Sequence, residues 1–408
     1  MKTLIKLFII LIFLLFPQQL DSCTIFYIEK NGVVFAGNNE DWKDPSTMMF
    51  FYPPTSGKYG WVKFGWASGF PQGGMNDHGL FWDGTSNLHL DMPYSEAHKT
   101  KLNFPIMQKV IEECSSIEDA KTIFANFFID DQYKAQYLVG DSTGNSMIVE
   151  GDNILDKEKD YQVLTNFYQS NPELGGYPCW RFDKTCELLE TDTNLNPYFI
   201  GEVLASTHQD GNYPTQYSTI YDLKNQLIYL FYYHNYEEFI VIDLKKELGK
   251  GQSSYQIPEL FSKLELIAPA NRITLKPSSV DFKWEGKPEN SYEVRYSTSW
   301  DFSEYQTAYV YNKQGNDEYV KMVAVPAFLI LILLNIRKRH LLLFLLTFVL
   351  FTGSQCEKDE IQTSDTISFS KTINNLEPQT IYYWKIVAQP ETNNNFRSET
   401  IVYQFKTG

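Results

Sequence analysis

The chain is short of positive charge. It carries 35 Lys and Arg against 50 Asp and Glu, a formal net charge of −15. Phosphate binding needs a basic face, so nucleic acid is excluded as a partner. Histidine and cysteine are also scarce, six and five residues in 408. No Cys/His spacing along the chain matches a zinc site, so the sequence predicts no metal, and no cofactor either. The five cysteines, Cys23, Cys114, Cys179, Cys186 and Cys356, cannot all pair within one chain. Cys179 and Cys186 fall on one expected helix, two turns or about 10 Å apart, beyond disulfide reach. The remaining composition excludes a disordered chain, since 43% of residues are hydrophobic and 16% aromatic.

What is present begins at the N-terminus. Lys2 and Lys6 lead into an apolar stretch, Leu7 to Phe16, and then a polar stretch ending at Ser22. That is the layout of a secretory signal peptide over 1–22, and the run is too short for a comfortable transmembrane helix. The expectation is an exported protein, periplasmic or at the cell surface. Residues 23–250 read as one α/β unit. Strands are expected at Thr24 to Glu29, Val33 to Ala36, Tyr137 to Val139, Ser146 to Glu150 and Leu227 to Tyr233. Turn residues separate them, notably Lys30-Asn31-Gly32 and Asp141-Ser142-Thr143-Gly144. Helices are expected over 104–114, 116–128 and 181–190, with Ser116 and Asp119 as a helix-start signal. The polar, glycine-bearing stretch from Lys245 to Ile257 reads as a linker.

After it the pattern changes. Val280 to Trp284, Ser291 to Ser297, Thr366 to Ile373 and Ile381 to Ala388 alternate like strands of a small β-sandwich, with Trp284 in its core. Leu376 to Tyr382 resembles the tyrosine corner of a fibronectin type III domain, and the resemblance covers 263–313 and 359–408. A hydrophobic insertion, 319–358, interrupts it. Two apolar arms, Met322 to Ile336 and Leu341 to Gly353, flank Arg337-Lys338-Arg339-His340. A single helix would bury those charges at the bilayer centre. A membrane hairpin over 322–353 keeps the basic turn on the inner side. Each arm is short for a span, and a buried insertion or an error in the sequence are the alternatives.

The chemistry points to Cys23. Cleavage after Ser22 makes it the first residue, and a cysteine there holds two catalytic groups. Its thiol is a nucleophile, and its α-amine, with a pKa near 7.7–8.0, serves as the base. Strand, turn, strand and then Gly37-Asn38-Asn39-Glu40-Asp41-Trp42 folds Asp41 back beside Cys23, where a carboxylate would orient the amine.

With Gly-x-Asn-x-Asp after that hairpin, the chain resembles the N-terminal-nucleophile hydrolases of the choloylglycine hydrolase and penicillin V acylase group. It resembles still more the acyl-CoA:isopenicillin N acyltransferase (peptidase C45) group. Gln72 to Leu80, with Asn76, is similar to the family's Gly-Met-Asn-x-x-Gly-Leu segment. Leu164-Thr165-Asn166, Trp180-Arg181-Phe182, Ser218 to Asp222 and Ile228 to Leu230 follow in the family's order. The resemblance spans about 23–240. It implies an α+β fold, a four-layer αββα sandwich, and cleavage of a small-molecule linear amide. In it Asp41 orients the amine, Asn166 polarises the carbonyl and Arg181 steadies the site. Asn38 stands where bile-salt hydrolases carry arginine, which puts bile-salt specificity in doubt. Ser86, with Asn87 beside it, aligns with a second oxyanion asparagine. Asn38, Asn76, Ser86 and Asn87 are therefore expected on the substrate side.

Rival readings remain. Leu20-Asp21-Ser22-Cys23 resembles a lipobox, although Asp21 argues against acylation. Asn166 alone is more often a turn residue, Arg181 a surface charge and Asp41 a loop carboxylate. Phe231, Tyr232 and Tyr233 are expected in the core. An acyltransferase and a non-catalytic surface adhesin or scaffold are the competing functions.

Overall fold

The computed structural model describes residues 23–67, 71–86, 95–129, 135–191, 194–276, 279–311, 366–390 and 396–408. The expected signal peptide, Asn87 and the insertion 322–353 lie outside the described residues. Among the described residues no helix is long and apolar enough to cross a membrane.

Two large sheets organise the first part of the chain. Its strands are β1 Thr24–Lys30, β2 Val33–Asp41, β3 Thr47–Tyr52, β4 Trp61–Trp66, β5 Pro71–Asn76 and β6 Phe81–Ser86. Then come β7 Thr100–Lys101, β8 Phe127–Phe128, β9 Ala135–Gly140, β10 Ser146–Glu150, β11 Asn153–Asp156 and β12 Tyr161–Leu164. The last are β13 Thr215–Asp222, β14 Leu227–Tyr232, β15 Asn235–Asp243 and β16 Ser253–Gln256. One sheet runs β12-β1-β2-β13-β14-β15, and the other β11-β10-β9-β6-β5-β4-β3-β16. The helices are α1 Ile106–Glu113, α2 Ile117–Asn126, α3 Trp180–Thr191, α4 Pro197–Thr207, α5 Leu244–Leu248 and α6 Ile257–Leu260.

The period of two along each strand divides the side chains between separate cores. Ile25, Tyr27, Val34 and Ala36 meet Met49, Phe51, Val62 and Phe64 of the other sheet. Their neighbours Phe26, Ile28 and Phe35 face the other way, against Leu189 of α3 and Ile200, Val203 and Leu204 of α4. On the far side Trp82, Val139, Met147 and Val149 pack on Ile106, Val110 and Ile111 of α1 and Phe124 of α2. Helix α2 starts as its sequence predicts. Ser116 Oγ accepts from the Asp119 N–H at 3.2 Å, and the Asp119 carboxylate accepts from the Ser116 N–H, also at 3.2 Å.

Two sequence expectations are corrected, and one helix goes unannounced. The supposed linker is part of this first unit. The Asp243 carboxylate caps α5 by accepting from the Lys246 N–H at 2.9 Å, β16 pairs with β3, and Leu244, Leu248, Ile257 and Leu260 enter the core between the sheets. The unit therefore extends past 250 to residue 260, held by apolar residues scattered among lysines and glycines. Second, Tyr233 is 49% exposed while Phe231 is buried, because Tyr233 and His234 form the β14–β15 turn with φ of 40° and 63°. Helix α4 carries no expectation, although Asn196 accepts from the Tyr198 and Phe199 N–H groups and Pro197 opens the helix.

The second part continues the first sheet. Its strands are β17 Glu265–Ala268, β18 Ile273–Leu275, β19 Val280–Gly286, β20 Ser291–Ser297 and β21 Gln306–Val310. Beyond the undescribed segment come β22 Ile367–Ile373, β23 Ile381–Gln389, β24 Ser398–Thr400 and β25 Tyr403–Thr407. β24 pairs with β15, placing Phe239 opposite Glu399, and β24, β23, β20 and β21 extend that sheet. A separate sheet, β17-β19-β22, closes a core around Trp284, Trp384, Phe282 and Phe405. At the expected corner the Tyr382 hydroxyl accepts from the Glu377 N–H at 3.0 Å.

Candidate active site

The site begins with a turn. Asn31 and Gly32 both have positive φ, 54° and 79°, the pairing that a two-residue hairpin favours. It fixes the register of β1 on β2, with Lys30 opposite Val33 and Thr24 opposite Asn39. One more step brings Cys23 opposite Glu40. The Cys23 thiol donates to Glu40 Oε1 at 3.4 Å. On the same face of β2, Asn38 Nδ2 donates to Glu40 Oε2 at 3.3 Å and to Asp83 Oδ2, on β6, at 2.8 Å. Gly73 faces Asp83 across the β5–β6 ladder, and any Cβ there would collide with the Asp83 carboxylate.

This face holds two carboxyl groups in a dry place, and burial disfavours the charged form of each. Burial raises the Glu40 pKa to about 8, against hydrogen bonds from Asn38 and Cys23 that lower it. Burial first, and then the Glu40 charge, lift Asp83 well above the usual carboxylate range. The Cys23 thiol is also pushed up, by burial and then by Glu40 and Asp41, against a backbone N–H from Asp41. The resting group is therefore a thiol, and its ionisation needs a base.

The other face of β2 points toward α3 and α4. Asn39 Nδ2 donates to the Leu204 carbonyl at 3.0 Å, and its Oδ1 accepts from Ser218 Oγ at 2.6 Å. Asp41 Oδ1 accepts from Thr215 Oγ1 at 2.5 Å. Its Oδ2 lies 3.6 Å from Arg181 Nη1, with both side chains buried. Arg181, in the first turn of α3, is the hub. Its Nη1 donates to the Cys23 carbonyl at 2.9 Å and to Thr24 Oγ1 at 3.0 Å, and its Nη2 donates to Asn166 Oδ1 at 3.3 Å. Asn166 Nδ2 donates to the Ser86 carbonyl at 2.7 Å and also to Thr85 Oγ1. One guanidinium thus ties together residue 23, Asp41 and the end of β12.

Of the expected residues, Cys23, Asn38, Asp41, Asn166 and Arg181 converge here, and Ser86 joins through its carbonyl. Asn76 does not. Its Nδ2 donates to the Ile111 and Cys114 carbonyls at 2.9 and 2.8 Å, and its Oδ1 accepts from the His78 and Leu80 N–H groups. It fastens the β5–β6 turn to the end of α1. Sequence reasoning missed Glu40, Asp83, Thr24 and Thr215. The hairpin register alone pairs 23 with 40, so Glu40 was within reach. Asp83 arrives from the other sheet and leaves no local signal. Among the described residues the side chains with metal-ligand spacing are His208, Asp210 and His234, none of which belongs to this cluster.

No family model matches the chain, and no curated protein matches it. Solved structures similar to it include penicillin V acylase from Agrobacterium tumefaciens, 20% identical over 55% of this chain and 89% of that one, with a TM-score of 0.45. Two variants of conjugated bile acid hydrolase from Clostridium perfringens are also similar, 21% and 20% identical, covering 57% of this chain and 97% and 96% of theirs, with TM-scores of 0.47 and 0.46. At TM-scores below 0.5 the likeness carries no chemistry across.

Proposed function

We propose that the chain is an exported hydrolase of linear, non-peptide amides, with Cys23 as its N-terminal nucleophile on an αββα sandwich, followed by a fibronectin type III-like domain. The observation that carries this reading is the Arg181 clamp. An enzyme whose base is an α-amine must fix the first residue's main chain, and Arg181 binds the Cys23 carbonyl while pairing with Asp41.

In the reaction the α-amine takes the Cys23 proton as the sulfur attacks the amide carbonyl carbon. Asn166 exchanges its Ser86 bond for the new oxyanion, with Arg181 holding its Oδ1; one such donor is typically worth about 2.7–4 kcal/mol. The C–N bond then breaks, and the amine's proton passes to the leaving nitrogen. Water attacks the thioester, giving its proton to the α-amine, and the carboxylic acid leaves with the thiol restored. Glu40, protonated through neutral pH, leaves the forming thiolate unopposed by a second charge. Bile-salt specificity is not part of the reading, because Asn38 engages Glu40 and Asp83.

The test is intact-mass analysis of the mature chain mixed with a panel of N-acyl amines. The expected result is a transient acyl adduct on Cys23 that decays with release of free acid. Decay that instead requires an added amine, with the acyl group found on that amine, assigns a transferase. No adduct with any member of a broad panel, together with no release of acid, contradicts the proposal. We also propose that 322–353 holds the protein to a membrane. Equal solubility without detergent of the full chain and a version lacking 319–358 would overturn that part.

A further inference from the structure

We propose that His208, Asp210 and His234 form a binding site for a divalent late-transition cation of the zinc class, separate from the Cys23 cluster. The three residues come from two places. His208 follows α4, Asp210 is two residues further on, and His234 occupies the β14–β15 turn. Their ligating atoms all lie within 4.8 Å of one another. The two carboxylate oxygens are divided between the rings: Asp210 Oδ1 is 3.2 Å from His234 Nδ1, and Oδ2 is 3.8 Å from His208 Nε2. Ligands at zinc bond lengths in a tetrahedron stand roughly 3.3 Å apart, so the atoms need to move little.

Other features prepare the site. His208 Nδ1 is 2.6 Å from the Ala205 carbonyl. A carbonyl can only accept, so Nδ1 is the donor in that bond and Nε2 is the nitrogen turned toward Asp210, the arrangement in which an outer partner orients a metal-binding imidazole. The rings approach to 4.6 Å between centroids, close for two groups that would repel once protonated. His234 also keeps a left-handed backbone, φ 63°, at a turn position that Asn or Gly fills more easily. Two imidazoles and one carboxylate suit zinc and leave a position open for water or a ligand.

Occupancy would cross-link the end of α4 to the β14–β15 turn. Between them runs the segment that serves Asp41. The Gln209 N–H donates to Thr215 Oγ1 at 2.8 Å, and Thr215 Oγ1 donates to Asp41 Oδ1 at 2.5 Å. A bound cation therefore stiffens the support of Asp41 without touching the thiol. The inference does not depend on the amidase reading.

The experiment is calorimetric titration of the full mature chain with zinc chloride, in wild type and in Cys23→Ser, so that the terminal thiol is not the ligand measured. Both should bind one zinc ion per chain and melt at a higher temperature with zinc than without. His208→Ala and His234→Ala should each weaken binding by about tenfold or more, the loss that even an outer partner of a metal causes. Asp210→Asn should weaken it too, and its 80% exposed side chain makes misfolding no explanation. Cobalt in place of zinc should give visible absorption in wild type that the His208→Ala/His234→Ala pair lacks. No stoichiometric binding to wild type, or unchanged binding in the paired variant, overturns the proposal.

Discussion

The two parts of this molecule bury different things. The C-terminal sandwich buries aromatics. Phe282 and Trp384 meet edge to face at 4.9 Å, and Trp284 is closed over by Tyr292 and Phe369. A buried carboxyl group at its seam, Glu238, serves structure: its oxygens accept from the Ser262 and Leu264 N–H groups, each at 2.8 Å. The first unit buries aromatics too, and besides them it buries Asn38, Asn39, Glu40, Asp41, Asp83, Asn166 and Arg181 near the start of β1. Each buried polar group is costly unless satisfied, so such a concentration at the start of β1 needs a reason beyond packing. The sandwich teaches what a purely structural core looks like in the same chain, and the Cys23 cluster departs from it.

The largest expected effect breaks the comparison at its centre. Cys23→Ser should lower amide turnover by on the order of 10⁴-fold or more, while the melting temperature stays near wild type. Retained turnover would move the chemistry elsewhere. Next is Arg181→Met, which leaves Asp41 as a buried charge without its cation. Chemical denaturation should report a loss of about 3–5 kcal/mol, the usual result of removing one partner of a buried pair. A near-neutral result would mean that Asp41 does not depend on Arg181.

A third variant sharpens the comparison through pH. Turnover should rise as the α-amine loses its proton near 7.7–8.0 and fall as Glu40, raised by burial to about 8, ionises beside the thiol. Glu40→Gln should remove the falling limb and keep the rising one. Stability has a matching sign. The folded state holds the Glu40 proton that the unfolded chain releases near the ordinary 4.5. This contribution is full below that pH and is lost as pH rises through about 8. The variant should flatten that part of a melting-temperature profile. Smallest is Tyr382→Phe. It removes the acceptor of the Glu377 N–H and should cost the sandwich about 1 kcal/mol, with amide turnover unchanged.

How much of this the sequence disclosed depends on where each signal resides. The β1–β2 hairpin is local: Asn31-Gly32 sets the turn, and the register carries Cys23 to Glu40. Likewise Ser116 and Asp119 announce α2, and Leu376 to Tyr382 the corner. Strands β3 to β6 carried no strand expectation. β4, Trp61–Trp66, is buried throughout, and a strand covered on both faces loses the alternation that would reveal it. Within the site, Cys23, Asp41, Asn166 and Arg181 were legible because they fall in ordered motifs. Asn76 shares such a motif but serves the α1 end, since the motif encodes a turn as well as any site. Asp83 reaches the cluster through sheet stacking, and Thr215 by pairing with Asp41 across the β2–β13 ladder, and no spacing along the chain records either.

The central claim is that residue 23 acts through its own terminal amine, and the mass of the protein's N-terminus tests it most directly. The account predicts a mature protein that begins at Cys23 with a free amine and an unmodified thiol. A chain that begins elsewhere, or a Cys23 carrying a diacylglyceryl group, would contradict it.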